Sequence, residues 1–448
     1  MDYPHLLWDI HAGEEHPFNA RAPQIDNGTA RPTPDRYHDR DFAAAEWDRV
    51  FAKSWLIACP VSDVRESGDF ATFDIGPESF IIVRGDDGDV HAHYNVCPHR
   101  GSRLVSSAFG SIGQFSCPFH SWKFSLEGEN IAVTDADTFR PEVLCHDRNL
   151  TGVRCEVAAG LVFISMDPAI QPLKEWLAPI LPQLELYQID RMHVIQHRKS
   201  DWGANWKGGV DAFAETYHLH AVHPQTQCVM DDRTQIDLWP GGFSRQFVPF
   251  ATPSRRFGDQ ESINPGIAMM LADAGIDPAA FSGTAKDSRA AVQQAKRARS
   301  VKYGLGYDRF SDTQLSDSTI YSVFPNAQIG CHPEAVFLHR FLPNPNDPNQ
   351  FTYDTMILYA HVDAPGYAPP AWMGLSSDLD VSGDSRPEIV HTSLGEPPGL
   401  GEVLDQDSDL LPIVQAGARS RGFRGPLWSE QEGRLRHFHG ELDRMMAD

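Results

Sequence analysis

The sequence predicts an α+β fold with two domains, on two observations. After Trp55 the apolar residues alternate with period two in segments such as "DFATFDIG", "SFIIVRG" and "AGLVFISMD", which is typical of a small all-β domain. From Gln171 onward, helical spacing in "PLKEWLAPILPQLELYQ" is mixed with strand-like segments such as "FTYDTMILYAHV". Because 448 residues exceed one ordinary domain, we expect an all-β domain over residues 40–166 and a mixed domain over 167–448. Residues 1–39 show no periodicity and are expected to form an arm that packs on the second domain.

Most helices are predicted from their spacing, and some also from a signal at their ends. "DRDFAAAEWDRVFAKSW" places its apolar residues on one helical face, with Asp41 as the N-cap. "GGVDAFAETYHLHAVHP" has the spacing of one helix, and "KDSRAAVQQAKRARSV" that of a solvated helix. Residues 364–402 are dense in Pro, Gly and Asp and are predicted to form a long loop. Two helices close the chain: "DSDLLPIVQAGARS", and a last one behind a capping box of Ser429 and Glu432.

The composition argues against several classes of function. The net charge is −23, from 61 acidic and 38 basic residues. This disfavours nucleic acid and anionic membranes as partners, because Lys and Arg make those contacts. No apolar run approaches the roughly 20 residues that cross a bilayer, and the acidic N-terminus lacks the pattern of a signal peptide. Seven thinly spread cysteines predict no disulfide framework. We therefore expect a cytoplasmic protein that binds neither nucleic acid nor membrane.

Two mixed pairs of thiols and imidazoles indicate a metal site. Cys97 and His99 are separated by one residue, and Cys117 and His120 by two. A structural zinc site is one interpretation, but zinc ribbons and fingers usually begin with two cysteines. Mixed pairs on two β-loops also suit a [2Fe–2S] cluster in which one iron takes two thiolates and the other takes two imidazoles.

A second constellation lies in "NWKGGVDAFAETYHLHAVHP". Residues three or four apart share a face of a helix, which groups Asp211 with Glu215 and Glu215 with His218. His223 follows five residues later, slightly off that face. Two histidines near a carboxylate suggest the two-His-one-carboxylate triad of non-haem Fe(II) oxygenases, which leaves coordination positions open. His220 has no place in this pattern and is expected to be structural or to line a pocket.

Together these segments resemble aromatic-ring-hydroxylating oxygenase large subunits. "CPHRG…CPFHSWKFSLEG" resembles the family's Rieske signature, and "NWK" followed by an acidic residue, Tyr-His and His-Pro resembles its second motif. The resemblance implies that the two cysteines bind one iron of a [2Fe–2S] cluster and His99 and His120 the other. It also implies a helix-grip (START-like) catalytic domain, in which an antiparallel sheet wraps a helix.

The resemblance assigns further roles at the second site. It makes His218 and His223 ligands of a mononuclear Fe(II), and Glu215 the carboxylate that bridges to a Rieske His, here His120, of a neighbouring subunit. Asp211 matches a family position near the iron; the alternative is an ordinary surface acid.

The third iron ligand is expected on a C-terminal helix. "LDQDSDLLPIVQ" offers Asp405, Asp407 and Asp409. The family has its Asp ligand upstream of a Q-x-G element, and counting back from Gln415, the first residue of that element here, selects Asp407. Residues beside the iron helix are candidates for the walls of a substrate pocket, although each could equally be plain core: Val210, Phe213, Ala214, Leu219 and Met230.

The resemblance implies a terminal oxygenase that uses O2 to hydroxylate or cis-dihydroxylate an apolar aromatic or alicyclic compound. The same machinery could instead perform oxidative O- or N-demethylation, and a pure Rieske electron carrier is a remote third possibility. No dinucleotide-binding fingerprint follows a strand, so we expect a separate reductase, with or without a ferredoxin. Arg100, Arg103 and Lys123 flank the cluster loops and are candidates for its docking face. A bridging carboxylate implies a homotrimer or a trimer with small β subunits.

Overall fold

The fold in the computed structural model is α+β, as the sequence predicts. The structure describes residues 10–447 except 12, 24, 371–380 and 382–384. In the first part of the chain, three small antiparallel sheets with strand orders β4-β3-β2-β5, β6-β7-β8 and β1-β10-β9 pack together. Their strands are β1 Leu56–Pro60, β2 Asp69–Ile75, β3 Glu78–Arg84, β4 Val90–Tyr94, β5 Phe109–Ser111, β6 Phe115–Ser116, β7 Lys123–Phe124, β8 Asn130–Ala132, β9 Arg154–Ala158 and β10 Leu161–Ser165. The period-two segments of the sequence lie on these strands.

The second part of the chain is organised by one sheet of eight strands, in the order β12-β13-β14-β15-β16-β17-β11-β18. Neighbours are antiparallel except β18, which pairs parallel with β11. The strands are β11 Met192–Trp202, β12 Gln235–Trp239, β13 Phe243–Val248, β14 Ser318–Val323, β15 Ala327–Cys331, β16 Ala335–Pro343, β17 Phe351–Ala360 and β18 Val390–Thr392. The prediction of an uninterrupted loop over 364–402 is therefore wrong at β18, whose backbone extends the sheet edge.

Ten helices are found among the described residues: α1 Arg40–Arg49, α2 Leu173–Trp176, α3 Leu181–Glu185, α4 Trp206–Phe213, α5 Leu219–Val222, α6 Pro265–Asp273, α7 Ser288–Tyr303, α8 Asp312–Ser316, α9 Glu402–Ala418 and α10 Gly433–Ala447. The expected N-cap of α1 is wrong by two residues, because the carboxylate of Asp39, not Asp41, accepts the Phe42 N–H at 2.8 Å. The capping box of Ser429 and Glu432 is confirmed in a 3-10 turn before α10.

The helix α7 is less solvated than its charge suggests. Lys296 is buried on its inner face and pairs with Glu334 at 2.8 Å. A buried lysine needs such a partner, since an unpaired charge in the interior is strongly destabilising. The charged pattern predicts the helix but not which of its lysines points inward. Within the described ranges, no helix has both the length and the apolar character needed to span a bilayer.

The N-terminal segment and α1 lie against the second part of the chain. The Arg21 guanidinium donates to Asp237 at 3.1 Å, and the Phe18 ring packs on Phe247. Glu46 on α1 forms a fully buried ion pair with Lys207 on α4, with 2.7 Å between the charged atoms. These contacts place α1 directly against the helix that precedes the predicted iron ligands.

Candidate active site

Three predicted ligand side chains converge in the second part of the chain. The Nε2 atom of His223 lies 3.0 Å from Oδ1 of Asp407, and that of His218 lies 3.8 Å from the same oxygen. All three ligand atoms fall within 4.8 Å of one another. The His223 side chain is fully buried, Asp407 is nearly so, and His218 keeps 21% of its surface exposed. Two imidazoles and one carboxylate with one accessible side have the composition of a facial triad with open positions.

The other nitrogen of each imidazole is occupied. Glu215 Oε1 lies 2.5 Å from Nδ1 of His218, and Gln406 Oε1 lies 2.6 Å from Nδ1 of His223. Although burial opposes it, the hydrogen bond and charge of Glu215 raise the pKa of His218. Such partners fix the tautomer and direct each Nε2 toward the ligand position. Glu215 is expected here from the sequence, but Gln406 is not, and its position directly before Asp407 is the only sequence signal for it.

The predicted continuous helix across these residues is wrong. The chain leaves α4 after Phe213 and resumes a single helical turn at α5, which begins after His218. The carboxylate of Glu215 accepts the backbone N–H groups of Tyr217 and His218. A side chain that takes these donors replaces the helical hydrogen bonds and permits the break. This break brings His223 onto the same side as His218, although the two are five residues apart.

Among the three candidate aspartates on α9, the structure directs Asp407 to the histidines. Asp405 accepts the Leu400 N–H at the start of α9, and Asp409 is exposed. The helix is held in place by Gln415, whose side chain accepts the Asn205 N–H at 3.0 Å. Gln415, the first residue of the Q-x-G element, therefore ties α9 to α4.

Asp211 takes no part in the three-ligand cluster. Its carboxylate accepts hydrogen bonds from the Tyr37 hydroxyl at 2.6 Å and from Nε2 of His439 at 2.9 Å. Burial, followed by the charge of Asp211, raises the pKa of Tyr37 well above its usual value. Asp211 therefore connects α4 to the N-terminal segment and α10, one helical turn before Glu215.

The four Cys and His residues of the first motif meet at one end of the β domain. Cys97 and Cys117 are buried on adjacent loops, and the rings of His99 and His120 lie 4.7 Å apart. Trp122 stacks on His99 at 4.7 Å with a 5° angle between the planes. The Nδ1 atoms of both histidines are buried and have no hydrogen-bond partner among the described residues. A buried nitrogen lone pair without a partner is costly unless a metal takes it, so these residues fit metal ligation through Nδ1.

The loop backbone supports thiolates at this site. Burial raises the pKa of Cys117, but the backbone N–H groups of Phe119 and His120 outweigh it, and the pKa is lowered overall. A tetrahedral zinc ion holds its four ligand atoms within about 4 Å of one another. In the described part of the chain, no three of these four ligand atoms lie within 4.8 Å. That spread favours a two-iron cluster over the zinc alternative.

The three basic residues near the cluster loops, Arg100, Arg103 and Lys123, differ in whether an acidic side chain pairs with them. Arg100 lies over the exposed ring of Phe119, 4.9 Å from its centroid. Lys123 is exposed on β7, whereas Arg103 is partly neutralised by Asp74 at 3.4 Å. The surface beside His120 is thus both apolar and positively charged.

A groove of about 670 Å³ opens beside the three-ligand cluster, between α4, α9 and the segment that leads into α10. Glu215, His218 and Asp407 line its base, and Val414 and Trp428 contribute to its apolar walls. Two large apolar side chains that are sequence neighbours of lining residues, Ile413 and Leu427, are 69% and 81% exposed. A polar base under exposed apolar walls is typical of a surface that another protein or a ligand covers.

None of the five predicted pocket residues lines this groove. Val210 and Ala214 are core residues, and Leu219 is also buried. Met230 is half-buried and forms an isolated bridge with Phe250. Phe213 instead points to the inner face of the sheet, where it packs on the rings of His339, Phe341 and Tyr353. His220 lies outside the cluster and packs its ring on Tyr217.

Known sequence families match both parts of the chain. The family described as "Rieske [2Fe-2S] domain" matches residues 54–144, and "Ring hydroxylating alpha subunit (catalytic domain)" matches residues 189–448. A Rieske domain joined to an oxygenase catalytic domain defines the Rieske non-haem iron oxygenases. The chain belongs to this family as a ring-hydroxylating oxygenase alpha subunit, which confirms the resemblance in its motifs. The family confirms the expected cofactors, a Rieske [2Fe–2S] cluster and a mononuclear non-haem iron.

Curated relatives share about half of the chain. The carnitine monooxygenase oxygenase subunit of Escherichia coli strain K12 is 34% identical over 235 residues, 49% of this chain and 59% of that protein. The glycine betaine monooxygenase oxygenase subunit of Pseudomonas aeruginosa strain PAO1 is 30% identical over 190 residues, 42% of this chain and 44% of that protein. The anthranilate 1,2-dioxygenase large subunit of Acinetobacter baylyi is 28% identical over 222 residues, 48% of this chain and 47% of that protein. The chain thus spans less than two thirds of the length of each relative.

Solved structures share the fold over almost the whole chain. A quaternary ammonium Rieske monooxygenase matches with a TM-score of 0.67 and 18% identity, over 95% of this chain and 100% of that chain. Naphthalene 1,2-dioxygenase matches with a TM-score of 0.66 and 18% identity, over 96% and 95% of the two chains. At this identity the likeness concerns the fold alone.

Proposed function

We propose that the protein is the terminal oxygenase component of a multicomponent system and oxidises a small organic substrate with O2. The observation on which this depends is the convergence of His218, His223 and Asp407, with Glu215 behind His218. A cluster held by Cys97, His99, Cys117 and His120 would supply single electrons, and an iron held by His218, His223 and Asp407 would supply the site for O2 activation beside the substrate. The electrons come from a separate reductase, directly or through a ferredoxin.

The chain's own residues prepare the iron site in three ways. The carboxylate of Glu215 holds the His218 ring, and the amide oxygen of Gln406 holds the His223 ring. Asp407 offsets part of the metal charge in a nearly closed environment. Full burial of His223 keeps water from that side of the site, whereas His218 keeps part of its surface exposed toward the groove.

The substrate we propose is a small compound that has a carboxylate and either an amine or a quaternary ammonium group. Carnitine, glycine betaine and anthranilate, the compounds in the names of the relatives above, are all of this kind. The rings of Phe213 and Phe337, which are only partly buried, suit an ammonium group, because ammonium groups bind aromatic faces. The reaction is hydroxylation of a carbon next to nitrogen, after which the product collapses to a carbonyl compound and a free amine. One oxygen atom of O2 forms the C–OH bond and the other leaves as water, at the expense of two electrons and two protons.

Hydroxylation of an aromatic ring is the second candidate. The same aromatic wall also suits a planar ring, and one relative is named as a dioxygenase of an aromatic acid. Apolar hydrocarbons are the least supported substrates, because the wall also contains the polar ring of His339.

A substrate panel tests these proposals. Purified protein with NADH and a surrogate reductase is incubated with glycine betaine, carnitine, 2-aminobenzoate and naphthalene. Release of an aldehyde and an amine from the first two compounds supports oxidation next to nitrogen, and a ring diol or catechol supports the second candidate. Failure to consume O2 in a substrate-dependent way with every compound contradicts the proposed oxygenase substrates.

We also propose that the active form is a trimer in which the Rieske loops of one chain cover the groove of the next. The exposed Phe119 and half-buried His120 suit the apolar groove that ends at Glu215. Electrons then pass from His120 of one chain to Glu215 and His218 of its neighbour. An active monomer by native mass spectrometry contradicts this assembly.

A further inference from the structure

The inner face of the large sheet places one polar ring within an aromatic wall. His339 on β16 stacks between Phe337, 6.4 Å away at 17°, and Tyr353, 5.8 Å away at 13°. Phe213 covers it from the end of α4 at 5.4 Å. Since Phe213 lies two residues before Glu215, this wall is next to the iron ligands. The charge of Asp407 also reaches the Tyr353 hydroxyl, where it adds to burial in raising that pKa.

One nitrogen of His339 is fully engaged by the protein. Its Nδ1 lies 2.7 Å from the Tyr353 hydroxyl and 3.1 Å from the Thr355 hydroxyl. Thr355 is the direct cross-strand partner of His339, so the sheet register sets this contact. Among the described residues, the Tyr353 proton has no acceptor apart from this nitrogen and the neighbouring hydroxyl. A phenol that donates to Nδ1 leaves the ring proton on Nε2.

The other nitrogen has no such partner. No described residue bonds to Nε2 of His339, and the ring keeps part of its surface accessible although it lies deep in the domain. Burial lowers the pKa of His339 to about 4. The ring is therefore neutral near pH 7, and with the Tyr353 phenol donating to Nδ1 it presents one N–H donor at Nε2 and not a cation. A single donor in an otherwise aromatic wall is the kind of group that orients a ligand in a pocket.

We propose that the Nε2–H group of His339 binds an acceptor oxygen of the substrate, a carboxylate oxygen in the class proposed above, while Phe213 and Phe337 hold its ammonium or ring part. This assignment rests on the proposed oxygenase function. It makes His339 a specificity-determining residue, because an analogue without the oxygen leaves the donor unpaired and loses affinity.

Equilibrium binding to the anaerobic holoenzyme tests the role of His339 without turnover. Two pairs of probes differ by the carboxylate: glycine betaine against tetramethylammonium, and 2-aminobenzoate against aniline. Calorimetry should show tighter binding of the carboxylate member of at least one pair. His339→Phe should weaken the binding of that carboxylate compound by about 10- to 100-fold, the effect of losing a hydrogen bond to a charged group. The affinity for the matching compound without a carboxylate should change by less than about threefold.

Two further variants separate this role from a structural one. His339→Gln keeps a side-chain N–H and should restore part of the preference for the carboxylate member. Phe337→Leu alters the wall but not the donor, and should weaken both members of a pair alike. Equal loss of both members in His339→Phe, unchanged binding in that variant, or no binding of either carboxylate by the wild type overturns the proposal. By contrast, tight binding without O2-dependent conversion in the substrate panel leaves the subsite intact and contradicts the proposed oxygenase activity.

Discussion

The two candidate metal sites of this chain present opposite nitrogens of their imidazoles. At the β-domain loops, the Nδ1 atoms of both histidines are buried without partners among the described residues. At the second site, the Nδ1 atoms of His218 and His223 are occupied by Glu215 and Gln406, and the Nε2 atoms converge. The free nitrogen therefore identifies the ligand atom at each site before any metal is considered. A histidine that binds a cluster through Nδ1 leaves Nε2 facing away from it, where it can serve electron transfer to another group. A histidine whose Nδ1 is hydrogen-bonded to a neighbouring side chain holds a single ion at Nε2 in a fixed position.

The two sites also differ in how they are assembled. The loop ligands lie within 24 residues of sequence, on two loops of one small domain. The second site needs a broken helix and an aspartate that lies 184 residues after His223. The first site depends only on the folding of its own small domain, whereas the second depends on the packing of α9 against α4. Substitutions at the two sites should therefore have separable effects on the two metals.

Replacing Asp407 should have the largest effect. Asp407→Ala removes the only carboxylate of the three-ligand cluster, so the protein should lose mononuclear iron while the visible spectrum of the Rieske cluster remains. The loss of turnover should exceed the roughly 100-fold change typical of a residue that only supports a metal ligand. Iron content, absorption and O2 consumption measure these effects. Asp409→Ala is the matched control, because this side chain is exposed on the same helix and should be neutral. Normal turnover in Asp407→Ala assigns the iron to another residue.

Glu215→Gln separates metal binding from electron transfer. It should leave both metals bound and slow the electron transfer between them. The amide is isosteric but lacks the charge that holds the His218 ring at Nδ1. Reoxidation of the reduced Rieske cluster in a single turnover should slow by about 10- to 100-fold, as for other residues that support a metal ligand. Stopped-flow absorption follows this step directly. Glu432→Gln is the control, since Glu432 lines the same groove but bonds to Ser429 in its capping box. An unchanged rate removes Glu215 from the electron path.

What the sequence predicts well is chemistry that is local along the chain. The paired Cys and His spacings and the capping box of Ser429 are short-range patterns, and the structure places the same residues together. The selection of Asp407 comes instead from the family resemblance, which places an iron ligand upstream of the Q-x-G element that begins at Gln415. The other patterns depend on residues close together in the sequence, where backbone geometry limits the possible arrangements.

What the sequence does not predict depends on tertiary contacts. The break after α4 arises because the Glu215 side chain takes backbone donors, which no spacing rule reveals. The buried pair of Glu46 and Lys207 looks like ordinary surface charge in the sequence, as does Lys296 on α7. His339 lies in a strand with no motif around it. Its role becomes visible only when the sheet register brings Thr355 opposite it.

Gln406→Ala should have a smaller effect that falls on the mononuclear iron alone. Removing the amide leaves His223 Nδ1 without its partner at 2.6 Å, so the ring is less firmly held. The affinity for Fe(II) should fall by about tenfold, the lower end for such partners, because the lost group is neutral. Competition with a chelator measures the affinity. Gln225→Ala is a suitable control, since the Gln225 amide donates to Gln406 and bonds to neither iron-ligand histidine within the described part of the chain. Loss of the Rieske spectrum in Gln406→Ala contradicts the independence of the two sites.

The smallest effect is expected at the loop surface, where it concerns the rate of electron entry. Arg100→Glu combined with Lys123→Glu should slow reduction of the cluster by an acidic donor protein within about tenfold at low salt, with little change at high salt. Arg103→Glu should do less, because Asp74 already balances Arg103. Lys302→Glu on α7 makes the same type of charge change on the catalytic part and should leave the rate unchanged. Stopped-flow reduction across a salt series separates these variants. If Lys302→Glu slows reduction as much as the loop pair does, net charge and not a docking face governs the encounter.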